Sequence, residues 1–251
     1  MTKILTMAKY SFKENISNKI FNGIIMFGGI LIFATMLLDE LALYEGVEVI
    51  RDTGLFFTEF MVMFIVIYLS ATCVLKAIKE KSIYLVLTKG VGKEEYLTGT
   101  LLGMMYTIFF NVFLMGGVLC ALIWKMGGSL DSSFFVSLLF IGLKLSLLSA
   151  VGIMFSVVSE SYVTAILFTV STYIAGHGLL ELKEVAQKVK GTAFEVILNI
   201  LYTVLPKFHL LNYRDYLGNV HINLWLLTGY MAVYMTAMLF IATASFSKKR
   251  L

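Results

Sequence analysis

Six long apolar stretches constrain the fold of this 251-residue chain more than any other feature: about Ile20–Leu38, Leu55–Leu75, Gly99–Trp124, Phe134–Val158, Val163–Leu180 and Ile222–Ala244. A hydrocarbon core of about 30 Å takes roughly 20 apolar residues in helical form, at about 1.5 Å per residue. Backbone amides must find partners inside lipid, which helices supply within themselves. The runs are too continuous for barrel strands, which alternate over about ten residues. The expected fold is an all-α polytopic membrane protein, a single unit over residues 1–251 with six transmembrane helices. Composition agrees: 59% of residues are hydrophobic and 14% charged, whereas soluble domains carry about a quarter charged residues. The net charge of +4 is gathered in short segments between the runs, so a basic surface for nucleic acid is not expected.

Loop charge sets the orientation. Lys3, Lys9, Lys13 and Lys19 precede the first stretch, Lys76, Lys79, Lys81, Lys89 and Lys93 follow the second, and Lys248, Lys249 and Arg250 end the chain. These three segments belong on the cytoplasmic side, with both termini. Asp39, Glu40, Glu45, Glu48 and Asp52 against Arg51 mark the opposite face. Residues 181–221 then form an extracytoplasmic loop, in which Phe194–Leu205 is too short to cross and reads as a short interfacial helix. Cys73 and Cys120 fall near opposite faces and are not expected to pair. The first stretch has no small-x-small cleavage pattern after it and reads as a retained span.

Two cytoplasmic segments carry functional signals. Over residues 4–19, Ile4-Leu5, Ala8, Phe12, Ile16 and Ile20 form an apolar stripe with Lys9, Lys13, Glu14 and Lys19 off it. This is the pattern of an amphipathic helix at the interface; a basic segment with little fixed structure is the alternative. In residues 76–98, charge brackets a short apolar core, Ile83–Leu87, and Gly90 and Gly92 permit a tight turn before the third span. Such a hairpin is a handle for a soluble partner or a plain connection between spans.

Polar residues inside apolar runs are costly and face protein, water or an interface. Glu59, Asn111, Lys144, Glu160 and His177 are the ones to place. Lys144 lines a substrate path or pairs inside the bundle, or else packs and snorkels; Asn111 is a second substrate-path candidate. His177 reads as an interface residue or a ligand, and no two histidines have metal-ligand spacing. Gly99 and Gly103 form a GxxxG pair suited to helix packing. Pro206 stops the helix before it.

The segments Lys9–Lys19 (KYSFKENISNK), Lys76–Thr100 and Leu201–Asp215 (LYTVLPKFHLLNYRD), in this order, resemble the permease subunits of ABC-2 type ATP-binding cassette transporters, and in particular the multi-copper enzyme maturation permease group. The hairpin departs from that pattern by Gly90 for proline, Gly92 for a small hydroxyl residue, Lys93 for arginine and Thr100 for a basic residue. The resemblance implies an N-terminal elbow helix and a coupling hairpin, and it makes Pro206, Asn212 and Asp215 structural residues of the loop. It also implies an exporter-like permease in a prokaryotic cytoplasmic membrane, with a second permease subunit and two nucleotide-binding ATPase subunits. ATP and Mg would bind those partners, since no G-x-x-x-x-G-K-[ST] occurs here; no catalytic residue, cofactor or metal is expected in this chain. Lys13, Glu14, Glu80, Tyr84, Lys93 and Glu160 are the candidates for coupling to the ATPase. A secondary transporter or a nonenzymatic membrane assembly factor is the alternative.

Overall fold

A computed structural model describes residues 2–17, 29–30, 46–129, 131–179, 202–212 and 224–248. The first predicted span lies almost wholly outside these residues, as do His221, Asp215 and most of the predicted extracytoplasmic loop. The described residues form seven α-helices and one short 3-10 turn. They are α1 (Thr2–Ser17), α2 (Gly46–Lys79), α3 (Ser82–Thr88), α4 (Lys93–Lys125), α5 (Ser132–Val158), α6 (Tyr162–His177), the 3-10 turn Phe208–Leu211, and α7 (Leu224–Lys248).

Among the described residues, four helices are long and apolar enough to cross a membrane: α2, α4, α5 and α7. The hydropathy windows mark only their apolar middles. Helix α2 has 34 residues, about 51 Å of helix, and begins nine residues before Leu55. Glu48, Arg51 and Asp52, expected in a loop, therefore sit in its first turns. Helix α4 likewise begins at Lys93, ahead of Gly99. The predicted span Val163–Leu180 is a helix of only 16 residues, about 24 Å, shorter than a hydrocarbon core.

Helix α5 is the axis of the bundle, packing on α2, α4, α6 and α7. Apolar side chains gain little by leaving lipid for protein, so association in a membrane depends on close packing and interhelical hydrogen bonds. Small residues provide both here. A Cβ at Gly152 would overlap Ser70, so α5 and α2 meet backbone to backbone at that level. One turn on, Ser156 Oγ accepts from the amides of Val74 (3.1 Å) and Leu75 (3.3 Å). Gly116 makes room for Leu138, and Gly142 for Phe109, between α4 and α5.

Helix α1 lies lengthwise on α4, the two running in the same direction. Gly99 receives Met7, Gly103 receives Ser11 and the Ala8 carbonyl, and Asn15 Nδ2 donates to Thr107 Oγ1 at 3.1 Å. The GxxxG pair thus serves an intrachain contact, continued by Thr107 one turn further. The buried line of α1 is Met7, Ala8, Ser11 and Asn15, while Leu5 of the predicted stripe stays exposed. The glycine-lined groove takes Met7, Ser11 and Asn15, which lie beside the predicted stripe, so that Ala8 of the stripe is buried and Ile4, Phe12 and Ile16 are half-buried. Phe12 meets Tyr106 and Phe110 edge-on, with centroids 6.4 and 5.9 Å away.

Candidate functional site

The two ends of the bundle carry different polar arrangements. In the body of the bundle, Lys144 stands near the middle of α5, 12 residues from Ser132 and 14 from Val158 by position. Its side chain is 1% exposed. An ammonium has three N–H donors, and here three acceptors from three other segments surround it. Glu59 of α2 is at 2.5 Å, Asn212 accepts through Oδ1 at the end of the 3-10 turn, and His177 Nε2 of α6 lies at 3.1 Å.

The acceptor role of His177 fixes its tautomer. Its Nδ1 lies 3.0 Å from the Tyr173 carbonyl, an acceptor only, so the ring proton is on Nδ1 and Nε2 is free to accept from Lys144. Tyr173 completes the set by donating its hydroxyl to Glu59 Oε1 at 3.0 Å. The imidazole stacks on Phe208, with centroids 5.4 Å apart and an interplanar angle of 18°. Phe208 is fully buried because Gly176 leaves it space; a Cβ there would strike both Phe208 and the Pro206 carbonyl.

The segment bearing Asn212 is pinned from the opposite side. Tyr230 accepts the Lys207 amide at 3.0 Å, and Tyr234 donates to the Val204 carbonyl at 2.9 Å. Pro206 breaks the preceding helix and its carbonyl takes the Phe208 amide at 3.0 Å. The turn that follows delivers Asn212 to the ammonium. His209 of the same turn is buried, and burial lowers its pKa below the usual imidazole value.

Glu59, Lys144 and His177, placed on separate spans by the sequence, thus converge with Asn212, which the motif had marked as structural. Tyr173 had no sequence signal at all, being one of 13 tyrosines. Asn111 stands apart: it is buried and donates to the Thr107 carbonyl of its own helix at 2.8 Å. A Lys–Glu pair in such a place holds charge inside the bundle, and Glu59, 21% exposed, is its contact with the outside. Both ring nitrogens of His177 are engaged, Nδ1 by the Tyr173 carbonyl and Nε2 by Lys144, which fixes the ring beside the ammonium.

At the end of the bundle where α2 finishes and α4 begins, the contacts are shallow. Gly90, at φ 77°, makes the turn after α3, and Glu95 Oε2 accepts the Gly92 amide at 2.9 Å to start α4. Ile83 is fully buried, anchoring α3, whereas Tyr84 and Leu85 point outward at 39% and 68% exposure. Glu14 of α1 pairs with Lys76 at 3.2 Å, and Lys3 donates to the Gly90 carbonyl at 2.7 Å. Lys93 donates to the Phe246 carbonyl at 3.1 Å, where a cation suits the C-terminal end of α7. Lys79 sits 3.9 Å from the Tyr162 ring, next to the turn that carries Glu160. Lys13, Glu80 and Glu160 are exposed. The six coupling candidates are spread over five segments: α1, the turn after α2, α3, α4 and the turn between α5 and α6. No family model matches the chain, and no curated protein matches it significantly.

Proposed function

We propose that the chain is the membrane-embedded permease subunit of an ATP-binding cassette transporter of the ABC-2 type, working as an exporter in a prokaryotic cytoplasmic membrane with both termini on the cytoplasmic side. The observation that carries this reading is the short helix α3. It is clamped by Ile83 yet offers Tyr84 and Leu85 outward among Glu80, Lys81 and Lys89, an apolar knob with a charged rim of the kind that docks in a partner's groove. Force on α3 has a route inward: Lys3 ties its turn to α1, Lys76 ties α1 to α2, and α1 lies along α4.

On this reading ATP and Mg belong to two separate ATPase subunits, and a second permease subunit completes the membrane part. Lys13, Glu14, Glu80, Tyr84, Lys93 and Glu160 form or brace the coupling surface, and Lys144 lines or gates the substrate path. The test is co-purification of the ATPase subunit with the chain. Glu80→Lys with Leu85→Glu is expected to abolish the association while the chain stays monodisperse; association and ATP-driven transport at wild-type levels would refute the coupling role of α3. A second reading, an ion-coupled secondary transporter, draws on the buried Glu59–Lys144–His177 cluster, since ionisable groups inside a membrane mark ion pathways. Transport by the purified chain without ATPase, driven by an ion gradient, would favour it.

A further inference from the structure

A groove of about 520 Å³ opens between α1 and α3, within the range of ligand pockets, about 300–1,000 Å³. Its floor is Met7, Val86 and Val91, and Leu85 stands at its edge. Its charged members are Lys3 and Lys89, with no acidic residue in the lining, and Thr6, Tyr10 and Ser82 add hydroxyls. The two lysines are neighbours in space, since Lys3 Nζ bonds the carbonyl of Gly90, the residue after Lys89. That bond uses one of three donors on Lys3.

We infer that this groove binds one anionic glycerophospholipid of the adjoining leaflet, with its phosphate between Lys3 and Lys89 and the start of an acyl chain on Met7, Val86 and Val91. Charge complementarity selects an anion, because both charged groups are cations. The floor selects a chain: its three apolar side chains offer no hydrogen bonds to an inserted peptide, whose backbone would need them, and an acyl chain needs none. The position agrees, at the end where the lysine-rich turns meet the leaflet surface and each Lys near an anionic surface adds attraction. The bound lipid would bridge α1 and α3, two elements joined across the groove's rim by the Lys3–Gly90 bond. This inference does not depend on the transporter reading.

The test uses the full chain in nanodiscs of equimolar phosphatidylglycerol and phosphatidylcholine, released into detergent and weighed by native mass spectrometry. The wild type is expected to retain one phosphatidylglycerol in preference to phosphatidylcholine. Lys3→Gln with Lys89→Gln should weaken that retention about fivefold for each lysine neutralised. Lys248→Gln, at the same end but outside the groove, should leave it unchanged. Lys89→Gln alone, at an exposed position without a described tertiary bond, serves if the double variant folds poorly. Equal retention of both lipids, or an equal loss with Lys248→Gln, would overturn the inference.

Discussion

The Lys144 cluster and the Glu14–Lys76 pair both join a lysine to a glutamate across helices, yet they differ in all that decides energy. Lys144 is 1% exposed and has three acceptors from three segments; Lys76 and Glu14 are 35% and 44% exposed, in a pairing water can replace. A buried charge without a partner is costly, so removing one member of the first pair leaves a penalty that removing a member of the second does not. The buried cluster constrains where α2, α5, α6 and the 208–212 segment can sit. The exposed pair ties α1 to α2 by a contact that water screens.

The sharpest break of this contrast is Lys144→Met, which strands Glu59 and should cost about 3 kcal/mol, read as a lower melting temperature of the detergent-solubilised chain. Adding Glu59→Gln removes the stranded charge and should restore more than half of the loss. Without such recovery, the penalty would not come from an unpaired charge. Gly103→Leu should cost about 2 kcal/mol, because the Ala8 backbone cannot yield to the new side chain. Trypsin cleavage at Lys9 and Lys13 should then accelerate as α1 lifts off α4. His177→Ala removes one neutral acceptor, for a loss of about 1 kcal/mol in the same melts. The smallest effect belongs to Lys76→Gln, below about 1 kcal/mol. A Lys76 variant as unstable as the Lys144 variant would erase the distinction between the two ends.

Hydropathy was enough to find the four spanning helices among the described residues, because length and apolarity act within one segment. It could not place helix ends, since charged residues such as Glu48 or Lys93 continue a helix as readily as they start a loop. The buried cluster was legible one residue at a time. Lys144 stood out as a charge in an apolar run, but its partners His177 and Asn212 lie 33 and 68 positions away along the chain, and Glu59 lies on another helix again. No spacing rule joins them; only the packing of four segments does. The α1 contact was hidden for another reason. Met7, Ser11 and Asn15 are unremarkable by hydropathy, and their role follows from the glycines they meet.

The seat of α1 on α4 also has a consequence for biosynthesis. Asn15 and Thr107 are 92 residues apart, so at about 5–20 residues per second α1 leaves the ribosome on the order of ten seconds before its groove exists. During that interval a helix with one small, polar face and exposed Lys3, Lys9 and Lys13 must wait against the leaflet surface. The segment is made well before it can be seated, and a chain stalled before α4 would leave α1 where proteases can reach it.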